Sequence, residues 1–193
     1  MTGLIDDKRT LRAAMLAWRA GFGEEERRAA AQGLLETFRH EHPFETPAVV
    51  SGFWPMAEEL DIRPLMIELF NEGCQLCLPV VIGKGQPLIF RAWRPGDTLE
   101  QGVFGTLHPT PRREVLEPEA LIVPLLACDQ DGCRLGYGGG FYDRTLRALR
   151  ARRHVTAMGV AFDAQLLPEP VPHGPDDERL DWLLTDKRAC AFV

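Results

Sequence analysis

Apolar positions recur along the chain at two periods, and the changes of period divide it into elements. Leu4, Leu11, Met15, Trp18 and Phe22 fall near helical spacing. They predict an amphipathic helix over 5–22, with Asp6 as its N-cap and Gly21 and Gly23 breaking the pattern. Lys8 and Arg12 are four apart, so they project from one face a turn apart. A second helix is predicted over 24–40, and its acidic start, Glu24-Glu25-Glu26, suits the positive end of the helix dipole. Residues 48–54 read as a strand ending at Pro55. Asp61 then caps a helix over 62–72 that Gly73 stops. Further strands are predicted over 75–81 and 87–93, the latter alternating enough to be half exposed. Residues 94–120 are rich in Pro, Gly and Arg and irregular; a loop that long in a compact domain is usually functional or a cover. The nearly continuous apolar run 120–128 is the signature of a buried parallel strand. A helix over 141–152, a buried strand over 156–162, a loop over 163–179 and short strands over 180–185 and 189–192 complete the chain. Strands alternating with helices predict an α/β domain with a mostly parallel central sheet.

A length of 193 residues fits one domain, 1–193, large enough for a sizeable core. Lys and Arg number 22 against 28 Asp and Glu, a balance of −6. That acidity argues against a general nucleic-acid or anionic-membrane binder. No run of about 18 apolar residues predicts a membrane span. Residues 1–12 mix acids and bases without the apolar stretch of a signal peptide, so the expected compartment is the cytoplasm. Five cysteines without a secretory signal speak against a disulfide framework. Cys74 and Cys77 have the spacing of half a zinc site, with Cys128 and Cys133 as the other half. Because 74–79 reads as a buried strand, the expectation is that these sulfurs are small core hydrophobes.

The stretch from Asp131 to Arg144 carries the most chemical information. Gly136, Gly138, Gly139 and Gly140 lie between a buried strand and a helix. In open α/β sheets ligands bind at the carboxyl ends of strands. Glycines there let main-chain N–H groups cradle an anion, and a helix start adds positive potential. The segment is not a P-loop, which needs Lys-Ser/Thr where Phe141 and Tyr142 stand, and a G-x-G-x-x-G frame from Gly136 fails at Phe141. A tight turn needing positive φ is the alternative, but four glycines in five positions favour phosphate. Arg134 and Arg144 flank the loop as candidate phosphate partners. Asp143 is placed either to hold Mg²⁺ through one oxygen or to partner the helix dipole.

The segments Val123 to Asp129 and Gly132 to Arg144 closely resemble the 5-formyltetrahydrofolate cyclo-ligase family, also called 5,10-methenyltetrahydrofolate synthetase. Three further segments agree in order and spacing: Lys8-Arg-Thr-Leu-Arg12, Phe53-Trp54-Pro-Met-Ala-Glu-Glu59-Leu-Asp61, and Asp177 to Thr185. The resemblance implies a three-layer, Rossmann-like α/β fold and an ATP-driven reaction. The formyl oxygen of 5-formyltetrahydrofolate, polyglutamylated or not, attacks the γ-phosphate. The resulting imidoyl phosphate is closed by N10, giving 5,10-methenyltetrahydrofolate, ADP and phosphate. Carried over residue by residue, Lys8 and Arg12 contact ATP phosphates. Arg134, Leu135, Gly136, Tyr137, Gly138, Gly139, Gly140, Phe141 and Tyr142 wrap the triphosphate, with Tyr137 through Phe141 also near the folate. Arg134 and Tyr142 serve the catalytic step. Asp143 and Asp177 hold Mg²⁺, although Asp176 is adjacent. Trp54 and Glu59 bind the pterin, where an aromatic face stacks and a carboxylate accepts from N–H groups. The expected partner is this small molecule alone, with no nucleic acid or membrane, and the chain is expected to be a monomer.

Two positions depart from the family pattern. Phe141 stands where a tyrosine is usual, and His108 replaces an acidic or amide residue in Gly105-Thr-Leu-His108-Pro109. The competing readings are a paralogue that keeps the fold as an inactive nucleotide-binding or regulatory module, and an ATP enzyme acting on another heterocycle.

Overall fold

A computed structural model describes residues 2–42, 48–56 and 58–192. Met1, Val193 and Ala57, the last inside the pterin-binding segment expected from the sequence, lie outside the described residues.

Among the described residues four α-helices accompany one large sheet: α1 (Thr2–Arg19), α2 (Glu24–Glu41), α3 (Arg63–Asn71) and α4 (Phe141–Arg150). The strands are β1 (Val49–Ser51), β2 (Gln75–Val80), β3 (Ile89–Ala92), β4 (Leu99–Gln101), β5 (Leu107–Pro109), β6 (Val115–Leu116), β7 (Ala120–Pro124), β8 (Ala127–Cys128), β9 (Arg134–Leu135), β10 (Thr156–Ala161), β11 (Trp182–Thr185) and β12 (Ala189–Ala191). The sheet runs β12-β11-β10-β7-β1-β2-β3-β6. Strands β11, β10, β7, β1 and β2 are mutually parallel, and antiparallel pairs extend both edges.

Side-chain alternation along these strands builds two cores. Val50, Leu76, Ala120, Ile122 and Met158 pack with Leu34 and Phe38 of α2 and with Leu65 and Leu69 of α3. Leu121, Val123, Ala157 and Leu183 point the other way and meet Leu146 and Leu149 of α4. This is the three-layer α/β arrangement with a mostly parallel, Rossmann-like sheet. A one-residue slip of β7 would exchange the two faces. Helix α1 contributes Trp18 to the edge of the first core. Its Met15 packs with Leu126, Ala127 and Leu135 of the β8–β9 hairpin and with Val171.

Several boundaries differ from the sequence expectation. Helix α1 begins at Thr2 and ends at Arg19, so Asp6 sits inside it and pairs with Arg9 instead of capping. Asp61 accepts from the Arg63 N–H at 3.0 Å, one residue ahead of the N-cap Ile62. The run 48–54 forms a strand only over Val49–Ser51, and the run 120–128 splits into β7 and β8. Both runs are apolar for burial beyond the paired segment: Phe53, Leu125 and Leu126 are core residues outside any strand. The segment 94–120 is more ordered than expected, since β4 and β5 form a hairpin and β6 joins the sheet edge. The cysteines do not gather into a zinc site. Cys74 and Cys77 belong to opposite cores and Cys133 to the α1 cluster. Among the described residues the one cluster with metal-ligand spacing is Asp129, Cys133 and His173. There the Asp129 carboxylate already staples three main-chain N–H groups, those of Asp131, Cys133 and Val171.

The chain goes from β1 to β2 on one side and returns to β7 on the other. The carboxyl ends of β1 and β7 therefore diverge and leave a crevice, the place where such sheets take ligands.

Candidate active site

A pocket of about 520 Å³ opens at that crevice. Phe53, Trp54, Met56 and Glu59, which follow β1, line it together with Pro124 at the end of β7 and Pro79 of β2. The glycine loop, Gly136 to Gly140, forms another wall as it leaves the β8–β9 hairpin and enters α4. Gly138 and Gly140 have φ of +94° and +63°, a region side-chain-bearing residues avoid. The carbonyl of Gly136 accepts from Arg12 Nε at 2.8 Å and that of Gly139 from Arg144 Nη2 at 2.8 Å. Among the described residues, the main-chain N–H groups from Gly136 through Asp143 meet no acceptor. With the Gly136 and Gly139 carbonyls tied back by arginines and its N–H groups free at a helix start, the loop has the donors that could hold an anion.

Paired charges lie beside the loop. Lys8 Nζ donates to Asp177 Oδ2 at 2.5 Å, and the Gly174 N–H reaches the same oxygen at 2.6 Å. Burial pushes the Asp177 carboxyl up, but the Lys8 ammonium and the Gly174 N–H outweigh it and hold the group below the usual carboxylate range. Arg134, only 5% exposed, donates to Asp143 Oδ1 at 2.8 Å and to the Glu178 carbonyl at 3.2 Å. The Glu178 N–H adds a third contact, 3.1 Å from Asp143 Oδ1. The second oxygens, Asp143 Oδ2 and Asp177 Oδ1, take no hydrogen bond among the described residues. One hard oxygen from each of two carboxylates on a pocket wall fits Mg²⁺, which binds few protein oxygens and keeps the rest for water and phosphate. Asp177 lines the pocket, whereas the Asp176 side chain is 92% exposed and pairs with Arg147.

The other end of the pocket carries Glu59, which is 6% exposed. Its Oε1 accepts from the Tyr137 hydroxyl at 2.5 Å and its Oε2 from the Met56 N–H at 2.8 Å. Burial raises the Glu59 carboxyl, and Tyr137, the Met56 N–H and Arg19 act against that rise. Trp54 stands nearby with the Arg63 guanidinium 5.6 Å over its ring and Trp93 edge-to-face with it, the ring centroids 6.1 Å apart. Tyr142 also lines the pocket. Burial, and then the Glu59 charge, push its phenol well above the ordinary range, so it is a neutral donor.

The pocket wall thus brings together Lys8, Arg12, Trp54, Glu59, every residue from Arg134 to Tyr142, Asp143 and Asp177. His108 and Arg144 are not on that wall. Arg144 instead lies 5.2 Å over the Phe141 ring, so that ring packs without needing the missing hydroxyl. Two residues escaped sequence reasoning. Arg19 donates to Tyr137 at 2.7 Å, and its place on the Lys8–Arg12 helical face was the available signal. Phe104, 75% exposed at φ +58°, overhangs the pocket 6.1 Å from Phe141, and nothing in its local sequence marked it.

A profile of the 5-formyltetrahydrofolate cyclo-ligase family matches residues 5–186. The chain is 37% identical over 147 residues to a 5-formyltetrahydrofolate cyclo-ligase of Mycolicibacterium smegmatis, covering 72% of this chain and 74% of that protein. It is 36% identical over 124 residues to one of Escherichia coli, covering 61% and 67%. The structure is similar to an Aquifex aeolicus 5,10-methenyltetrahydrofolate synthetase, with a TM-score of 0.77 and 30% identity, over 95% of this chain and 92% of the other. A Mycoplasma pneumoniae 5,10-methenyltetrahydrofolate synthetase shares the fold at TM-score 0.74 and 22% identity, covering 93% and 99%.

Proposed function

We propose, from the premise that this chain belongs to the 5-formyltetrahydrofolate cyclo-ligase family, that it converts 5-formyltetrahydrofolate to 5,10-methenyltetrahydrofolate with ATP and Mg²⁺ through a phosphorylated formyl oxygen. The observation that carries this reading is the position of Tyr137. It belongs to the loop whose N–H groups are free for an anion, and its hydroxyl is 2.5 Å from the buried Glu59. One loop therefore joins an anion cradle to a carboxylate suited to a heterocycle's N–H groups.

When bound, ATP with Mg²⁺ supplies the phosphoryl group that turns the formyl oxygen, a poor leaving group, into a good one. The chain's own contribution is placement and charge. Glu59 accepts from the heterocycle while Trp54 offers an apolar ring edge beside it. The glycine-loop N–H groups, Lys8 and Arg12 orient phosphate oxygens. Asp143 and Asp177 each present one oxygen to Mg²⁺. Arg134 brings a buried positive charge to the reacting end, and Tyr142 remains a phenol able to donate. We further read residues 1–193 as one cytoplasmic, monomeric domain whose net charge of −6 disfavours nucleic-acid partners. Among the described residues no helix is long and apolar enough to cross a membrane.

The test is the growth of 5,10-methenyltetrahydrofolate absorbance when the purified protein is mixed with 5-formyltetrahydrofolate, ATP and MgCl₂. The expected signal disappears when either ATP or Mg²⁺ is left out. Product formation independent of ATP, or none with all components present, would remove the reading.

A further inference from the structure

Arg19 is a charged residue buried beside the pocket without lining its main wall. It is 3% exposed, its Nη2 donates to the Tyr137 hydroxyl at 2.7 Å, and among the described residues its Nε has no partner. It also borders a cavity of about 10 Å³ shared with Glu59 and Gln165, room for roughly one water.

The chemistry of the three groups fixes the direction of a proton. A guanidinium has only donors. The Tyr137 oxygen must therefore accept from Arg19, and its single proton points elsewhere. Glu59 Oε1, 2.5 Å away, receives it. With Oε1 accepting the phenol's hydrogen bond, a proton on Glu59 would have to sit on Oε2. The second Glu59 oxygen already accepts from the Met56 N–H. Without Arg19 the phenol loses the donor that turns its proton toward Glu59, and the buried carboxylate loses the guanidinium charge that opposes its rise.

We propose that Arg19 is a positioning residue: it locks the Tyr137 hydroxyl as a donor and so keeps Glu59 an anionic acceptor for the N–H groups of the substrate's heterocycle. This rests on the folate reading of Glu59 given above. Among the described residues, the titratable and charged groups facing Glu59 are Arg19 from α1, Tyr137 from the glycine loop and Tyr142 from α4. Burial raises Glu59, and the two tyrosines stay neutral because burial and the Glu59 charge raise their own phenols. Arg19 is thus the cation that opposes the cost of a buried anion. Its helix also carries Lys8 and Arg12, so α1 reaches both ends of the pocket.

Infrared titration of the ligand-free protein tests the lock, with the protonated Glu59 band identified by its loss in Glu59→Gln. In Arg19→Met the band is expected to titrate about one pH unit higher than in the wild type, and Arg19→Lys to recover most of the shift. In turnover at the acid edge, Arg19→Met raises KM for 5-formyltetrahydrofolate about tenfold and leaves KM for ATP within about twofold. The same titration in wild type and Arg19→Met overturns the proposal. So does an equal rise in both KM values, which would mean only that α1, with Lys8 and Arg12, had shifted. Should Arg19→Met fail to fold, Tyr137→Phe breaks the same link and is expected to raise the Glu59 titration; an unchanged titration there also overturns it. The infrared measurement needs no substrate. It therefore reads the lock even if the wild-type protein forms no methenyl product, an outcome that would count against the folate reading instead.

Discussion

Glu59 and Asp143 are both acids on the wall of one pocket, yet they are held by different means. Glu59 is surrounded by rings and held by a phenol and a main-chain N–H, with its cation one residue removed. Asp143 touches its cation directly, as does Asp177, through Arg134 and Lys8. At the first end a carboxylate would meet neutral N–H donors with no ion pair to break. At the second, cations and carboxylates sit paired where phosphates and Mg²⁺ would each take one member. A pocket for one neutral heterocycle would not need that second arrangement, and a pocket for phosphates alone would not need the first.

Three substitutions probe the contrast. The largest effect is expected for Asp143→Asn, which removes one of two carboxylates offered to Mg²⁺ and should lower kcat by about 100-fold. Because Arg134 is buried and loses its counter-charge, stability should also fall, by roughly 1–3 kcal/mol, read from urea unfolding. Wild-type turnover in this variant would dissolve the distinction between the two ends.

Glu59→Gln should raise KM for 5-formyltetrahydrofolate by about tenfold or more, the order of one charged hydrogen bond. Its effect on stability has the opposite sign to that of Asp143→Asn. The Glu59 carboxyl is raised in the folded protein, so the unfolded chain releases its proton first. Wild-type stability therefore falls as pH climbs from the ordinary carboxylate range through the folded value, and glutamine escapes that loss. Melting curves should show Glu59→Gln gaining on the wild type with rising pH across that window. A gain only in acid would reverse the assignment.

The smallest effect is expected for Lys8→Ala. It should raise KM for ATP by several-fold and leave the folate KM unchanged, since Lys8 is part-exposed and Arg12 remains. Without the ammonium, Asp177 loses part of what keeps it below the usual range, so the ATP dependence of this variant should worsen at lower pH.

The layered fold was legible because strand and helix periods are local properties. Runs such as 48–54 and 120–128 misled because apolarity reports burial, not pairing: Phe53 and Leu126 are buried outside the sheet. The glycine loop's place on the pocket wall was foreshadowed by composition alone. What joins it to the rest was not legible. Lys8 meets Asp177 across 169 positions and Tyr137 meets Glu59 across 78, and only the crossing of the sheet brings them together. Asp176 and Asp177 are indistinguishable as letters, and the turn at Gly174 sends one to the pocket and the other to Arg147. Arg19 lay on the marked helical face, but a helical arginine gives no sign that it is buried.

The division of one pocket into a heterocycle end and a phosphate end is tested most directly by measuring both KM values in Glu59→Gln and Lys8→Ala. The account predicts a crossed pattern, with only the 5-formyltetrahydrofolate value rising in Glu59→Gln and only the ATP value in Lys8→Ala. Both values rising together in either variant would contradict it.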